Sequence, residues 1–464
     1  MVSDRLSSLD VAFLYMEENT TPMHVGGVAI FDPPTGGFDY GRLVELVSER
    51  IAQVPRYRQK IRRVPGSLAA PVWVDDSAFD LGFHIRRSAL PKPGTDGQLR
   101  ELVGRLMSRR LDQGRPLWEM YLVEGLSGGR IAVISKTHHA MVDGNAAVDL
   151  AQVILDLGPN PRETPPNIWR PKPEPNAFEL VAGAVTQLIQ RPTEIADTVR
   201  VAMLDARSTV TKVAGALGGI LAAARTAARP APESPLNVPI GEQRRYGMAK
   251  AELDDFKAVR KAHSGTINDV VLATVAGALR SWLMTRGEPV GTKSVVRAMV
   301  PVSVRGDVNR DGQGNHVASY LVDLPVGEPN AVVRLHQVSY AMRAHKEAGQ
   351  SVGAEALIHL GGFAPPTLHA LGAKAASGLS RRLFNIVVTN VPGPQFPLYA
   401  AGAKMLEVYP VVPLARGQAI SIGLTSYNGG VYFGLNADRD AMPDVDVLAG
   451  LIEESLQELV ESIS

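Results

Sequence analysis

The sequence predicts two α/β halves joined by a long crossover. Three observations carry that reading. The first third alternates short apolar runs with stretches of helical period. Proline then becomes dense over "GPNPRETPPNIWRPKPEPN", Gly158 to Asn176, where neither a helix nor a central strand can continue. A second alternation of helices and strands starts near Glu252 and runs to the end. At 464 residues the chain is too long for one simple core. The expected division is residues 1–157, a linker with crossover helices over 158–235, and residues 236–464.

The elements follow in order. "HVGGVAIF", from His24, reads as a strand. "YGRLVELVSERIAQV" places Leu43, Leu46, Val47 and Ile51 on one helical face, and Pro55 stops it. "QLRELVGRLMSRRLD" repeats the pattern with Leu99, Leu102, Val103 and Leu106. "WEMYLVEGL" and "RIAVISKTHH" are apolar runs joined by "SGG", a hairpin signal. "GNAAVDLAQVILDLG" is then a helix ending at Gly158. A helical stretch over Ala177 to Arg229, broken near Pro192 and Gly218-Gly219, crosses to the second half. There, "ELDDFKAVRKAHS" and "INDVVLATVAGALRSWLMTRG" read as helices and "SVVRAMVPVSV" as a strand. "NIVVTNV", "QAISIGLTSYN" and "VYFGLNAD" are strand-like, and "DVDVLAGLIEESLQELVES" is the last helix.

Composition narrows the chemistry. A net charge of +1 gives no basic field for nucleic acid. The absence of cysteine excludes disulfides, thiolate metal sites and cysteine nucleophiles, and fits the cytoplasm. The first residues carry Asp4, Asp10, Glu17 and Glu18, unlike a signal peptide. The most apolar run, Val213 to Ala224, is too short to span a bilayer.

The densest chemical signal is "SKTHHAMVDGNAA", Ser135 to Ala147. Adjacent side chains on extended backbone point apart, so His138 and His139 are poorly placed to share a metal ion, and no further ligand spacing accompanies them. A histidine at a strand end can take and return a proton near neutrality. Asp143 and Gly144 suit a tight turn into a helix, so a helix cap beside two half-exposed histidines is the plainer alternative.

His138, His139, Asp143 and Gly144 together form H-H-x-x-x-D-G, which resembles the signature of the CoA-dependent acyltransferase superfamily, condensation domains included. "LSSLDVAFLYMEENTTPMHVGGV", "RPLWEMYLVEGL", "SPLNVPIGEQRRY", "INDVVLA", "PVSVR", "GNHVAS" and "NVPGP" follow in an order that resembles the bacterial wax ester synthase/diacylglycerol acyltransferase family. That resemblance implies an α/β (α+β) fold of two chloramphenicol-acetyltransferase-like domains, with mixed sheets flanked by helices. It implies acyl transfer from acyl-CoA to diacylglycerol or a long-chain alcohol, with no cofactor beyond the acyl-CoA co-substrate.

The resemblance also assigns roles. His139 is expected to be the general base and His138 its supporting neighbour. Asp143 is expected to pair with Arg305 as a structural lock, the bidentate geometry that Arg provides. Asn268 is a candidate oxyanion donor, against the alternative of a helix cap. Trp118 is a candidate for lining the substrate channel, although an aromatic ahead of an apolar strand is more often core, and His24 carries the same ambiguity. "GLSGG", Gly125 to Gly129, matches G-x-S-x-G but joins two strands, whereas a nucleophile elbow needs strand then helix.

Lipid substrates imply a peripheral location on the inner face of a membrane or on lipid droplets. Asn176 to Arg229, with six basic and four acidic residues among apolar ones, is either an interfacial amphipathic helix or a packed crossover. Two other functions stay open: acyl transfer from a carrier protein, and a non-catalytic lipid-binding or droplet-coating role.

Overall fold

The computed structural model describes residues 4–67, 69–142, 153–164, 167–190, 230–304, 316–347, 352–353 and 382–463. Its elements in chain order begin with α1 (Ser8–Met16), β1 (His24–Asp32), α2 (Tyr40–Arg50), β2 (Gln59–Arg62) and β3 (Val72–Asp75). Next come α3 (Leu81–His84), β4 (Ile85–Ala89), α4 (Asp96–Met107), β5 (Trp118–Glu124), β6 (Ile131–His138) and α5 (His139–Val142). The crossover contributes α6 (Ala177–Gln190). The second half holds β7 (Arg244–Glu252), α7 (Leu253–His263), α8 (Ile267–Thr285), β8 (Val296–Val304), β9 (His316–Leu324), α9 (Ala331–Glu347) and β10 (Val352–Gly353). It closes with β11 (Ile386–Pro392), β12 (Tyr399–Ala400), β13 (Ala403–Val411), β14 (Ile420–Tyr427), β15 (Gly430–Asp438) and α10 (Val445–Glu461).

Two mixed sheets organise the chain. The first runs β12-β13-β1-β6-β5-β4, with only β4 and β5 parallel. The second runs β10-β9-β8-β11-β14-β15-β7, with β8, β11 and β14 parallel. The mixed α/β architecture agrees with the expected fold class. The β5–β6 hairpin forms as its two apolar runs predict, and its turn over Ser127–Gly129 is a short 3-10 bend, so "GLSGG" is no nucleophile elbow.

Local chemistry sets the helix starts. Thr95 and Gln98 form a capping box on α4, and Thr266 and Asp269 form another on α8. Helix α8 is buried almost all round, from Val270 through Leu279 to Trp282, and forms the spine of the second core. The first core gathers α2, α4 and the inner face of its sheet around Leu43, Val47, Val103 and Ile134.

The two sheets share the chain unevenly. β12 and β13, from the second half, join the first sheet. β13 lies antiparallel to β1, with Gly26 opposite Val411 and Ile30 opposite Glu407. Tyr246 Oη donates to Pro410 O at 2.9 Å, tying β13 back to its own half. Glycine makes the crossing possible: a Cβ on Gly434 would lie 1.8 Å from Pro410 O. The helix expected over Gly144 to Gly158 and the crossover beyond Gln190 lie outside the described residues, apart from residues 153–158.

Candidate active site

The site grows from the end of β6. The His138 amide donates to Leu117 O at 2.9 Å, and the His139 amide donates to Met23 O at 2.8 Å. These two bonds hold the histidine backbone against the segments leading into β5 and β1. Their side chains then part, as neighbours at a strand end do.

His138 turns inward and is fully buried. Its Nδ1 accepts the Ala140 amide at 3.1 Å, which puts the ring proton on Nε2. Burial pushes its pKa down to about 4, so the ring is neutral at physiological pH. The carboxylate of Glu17, itself buried, lies 3.8 Å from Nε2. Glu17 is held by Arg110 at 2.9 Å, Gln113 at 2.8 Å and the Met23 amide at 3.4 Å.

Behind His138 the sheet carries two more buried cation-forming groups. His24 is its cross-strand partner and donates from Nε2 to Met107 O at 3.0 Å. Lys136 donates to Leu106 O at 3.2 Å and also to Arg109 O. Both therefore bond carbonyls at or just past the end of α4. Burial lowers the Lys136 pKa to about 8 and the His24 pKa well below its ordinary value. Gly26 lets these layers close, since a Cβ there would lie 2.3 Å from Ser135 O.

His139 turns the other way. It is partly exposed, and its ring stacks on Phe13 of α1 with centroids 4.0 Å apart and planes 21° apart. Stacking on a flat apolar surface fixes the imidazole plane while leaving an edge toward solvent. Of the two histidines, only His139 presents a ring accessible to solvent.

Asn268 is not a helix cap. Thr266 takes that role and Asp269 completes the capping box. The Asn268 side chain is partly exposed, and its Oδ1 accepts from Asn390 Nδ2 of β11 at 3.4 Å. That pairing engages Oδ1 and leaves the Asn268 amide Nδ2 available as a donor.

The candidate role of Trp118 as a substrate-binding residue is overturned. Trp118 is 1% exposed, donates from Nε1 to Tyr57 O at 2.7 Å and stacks on His84 at 4.6 Å. A ring enclosed this way is core. His24 is likewise structural, as its sequence context suggests. Asp143, Gly144 and Arg305 lie outside the described residues, and with them the expected Asp143–Arg305 pair. Phe13, Glu17 and Asn390 are site neighbours that no spacing signal picked out, because they come from other elements of the fold.

Comparison with known proteins identifies the family. Residues 6–271 match the wax ester synthase/diacylglycerol acyltransferase catalytic domain, and residues 313–460 match the WS/DGAT C-terminal domain. The chain is 33% identical to the probable diacylglycerol O-acyltransferase tgs2 of Mycobacterium tuberculosis over 476 residues, covering 99% of each. It is 34% identical to tgs1 of the same organism, covering 98% of this chain and 96% of that one. The solved wax ester synthase/diacylglycerol acyltransferase of Marinobacter aquaeolei superposes with a TM-score of 0.71 at 29% identity, covering 99% of both chains. A condensation domain of the calcium-dependent antibiotic synthetase shares the fold, with a TM-score of 0.59 at 16% identity, covering 100% of this chain and 97% of that one. With family matches over both sheets and relatives alike from end to end, this chain belongs to the wax ester synthase/diacylglycerol acyltransferase family.

Proposed function

We propose that this protein moves a long-chain acyl group from acyl-CoA to the hydroxyl of diacylglycerol, or of a long-chain alcohol, with His139 as the general base. The observation that carries the reading is the division of labour at the strand end. His138 is sealed in and neutral, while His139 stands partly open on Phe13.

His139 takes the hydroxyl proton as the alkoxide oxygen attacks the thioester carbonyl. The tetrahedral oxyanion is met by a preorganised donor, for which Asn268 Nδ2 is the candidate. The carbon–sulfur bond then breaks. The CoA thiolate is a good leaving group, its thiol having a pKa of about 8.5 by analogy with free Cys. It recovers the proton from His139. No covalent acyl-enzyme and no cofactor are needed. Asp143 and Arg305 are assigned the loop-holding role that the family motif implies.

Hydrophobic substrates place the enzyme at a membrane or droplet surface as a peripheral protein. Among the described residues, no helix is long and apolar enough to cross a membrane. The test of function is direct. Purified protein is given labelled palmitoyl-CoA with diacylglycerol, with a long-chain alcohol, or with neither. Neutral lipid should form with an acceptor and vanish in His139→Ala. Full-rate product in the variant would overturn the base assignment, and no product with any acceptor would overturn the reaction.

A further inference from the structure

The β2–β3 hairpin carries a strap. Residues 167–174 run along it, tied at three points. Asn167 Oδ1 accepts from Arg58 Nη1 at 3.0 Å, the Lys172 amide donates to Asp75 at 3.0 Å, and Glu174 pairs with Lys60. The strap then enters α6, whose Leu180 packs on Val64, Val72 and Val74. Between α6, α1 and the end of β2 lies an open cleft of about 540 Å³, within the range of ligand-sized sites. Its walls are Leu14, Ile61, Pro65 and Leu180, and its rim carries Arg62 and Arg63.

Two features of this face call for an occupant. The first is uncompensated positive charge. The neighbouring acids are already engaged: Asp4 by Arg56, Asp76 and Glu174 by Lys60, and Asp75 by Gln59 and the Lys172 amide. Arg62, Arg63, Arg170 and Lys172 are exposed, and none has an acidic partner among the described residues. Arg63 donates to Gln113 at 3.1 Å and its guanidinium lies 6.0 Å from the centroid of the Tyr15 ring, and neither partner is an acid. The second feature is exposed apolar bulk on the strap and α6: Ile168 is 87% exposed and Phe178 80%. A soluble anion would need the arginines but not these side chains or the apolar cleft. A lipid surface needs all three, since apolar groups enter the acyl boundary while basic groups meet the headgroups.

We propose that this face docks the enzyme on an anionic phospholipid surface, with a headgroup phosphate held by Arg62 and Arg63 and an acyl chain against Leu14, Ile61 and Leu180. The inference rests on the peripheral-membrane reading and gives it an address. Leu14 follows Phe13, the residue stacked on His139, so a docked bilayer lies beside the helix that borders the base.

The experiment is vesicle flotation of the full chain. Wild type should float with phosphatidylglycerol-containing vesicles and poorly with phosphatidylcholine alone. Each basic residue near an anionic surface contributes about fivefold in binding, so Arg62→Ser/Arg63→Ser should bind about 25-fold more weakly. Ile168→Ser/Phe178→Ser should weaken binding to both vesicle types. Circular dichroism confirms that each variant is folded. Unchanged flotation of both folded variants would overturn the proposal. So would displacement of wild type by inorganic phosphate but not by chloride at equal ionic strength, which would assign the arginines to a soluble anion. A parallel assay with short-chain acyl-CoA and a water-soluble alcohol separates this from the reaction itself. The variants should retain that activity. Its absence in wild type would count against the acyltransferase reading and leave the flotation result standing.

Discussion

The strand that ends in the histidines and the long helix α8 of the second half are both buried, and they are buried differently. β6 hides Lys136 and His138 among Ile131, Val133 and Ile134. α8 hides Val270, Leu272, Val275, Leu279 and Trp282, with Thr274 bonded back into its own helix. Apolar burial stabilises roughly in proportion to area, whereas a buried ionisable group is tolerated only if it is neutral or well bonded. The second core is a scaffold. The first spends part of its interior on polar groups that hold the backbone of β1, α4 and β6 in register behind His139.

Substitutions should separate those two roles. The largest effect is expected at His139: His139→Ala should lower kcat by about 10²–10⁴-fold with little change in Tm, since the ring is partly exposed. Steady-state rates and thermal melting check the pair of outcomes, and a large loss in Tm would place His139 in the scaffold instead. Trp282→Ala should do the reverse. Removing this fully buried ring, bonded to Asp444 at 3.0 Å, should cost about 3–5 kcal/mol in urea unfolding.

Asn268→Ala comes next. As an oxyanion donor it should lose about 10²–10³ in kcat with KM little changed. A loss confined to Tm would make the Asn268–Asn390 pair only a tie between α8 and β11. The smallest effect is a pH slope. The folded His138 pKa, about 4, lies below its ordinary 6.5, so between those values the unfolded chain binds more protons. Stability should be fully present above pH 6.5 and fall as pH drops toward 4, by at most about 3 kcal/mol. His138→Gln should reduce that slope in urea titrations across the window, leaving the part that the buried His24 and His84 contribute, whose pKa values burial also lowers.

The same contrast explains what could be read from the sequence. Helical period announced α2, α4 and α8, because each buries one side or all sides of a continuous segment. The hairpin of β5 and β6 was legible because its partners are adjacent in the chain. β13 was not. "AKMLEVYPV" carries exposed Lys404 and an internal Pro410, and its partner β1 lies near the other end of the chain. Motif spacing singled out His139, but the ring beneath it, Phe13, belongs to α1, and the partner of Asn268 belongs to β11. Trp118 was ambiguous for a related reason: a motif residue beside a site looks the same in sequence whether it faces the cavity or the core, and burial places it in the core, the more common outcome for an aromatic ahead of an apolar strand.

The pairing of Gly26 with Val411 also bears on biogenesis. During synthesis β1 acquires β6 early, yet its other edge waits until nearly the whole chain has left the ribosome. An open edge in an apolar sheet is a template for wrong partners, and such distant pairings form slowly. Termination before residue 411 would leave that edge without its partner, so truncated products should aggregate rather than persist as a folded N-terminal half.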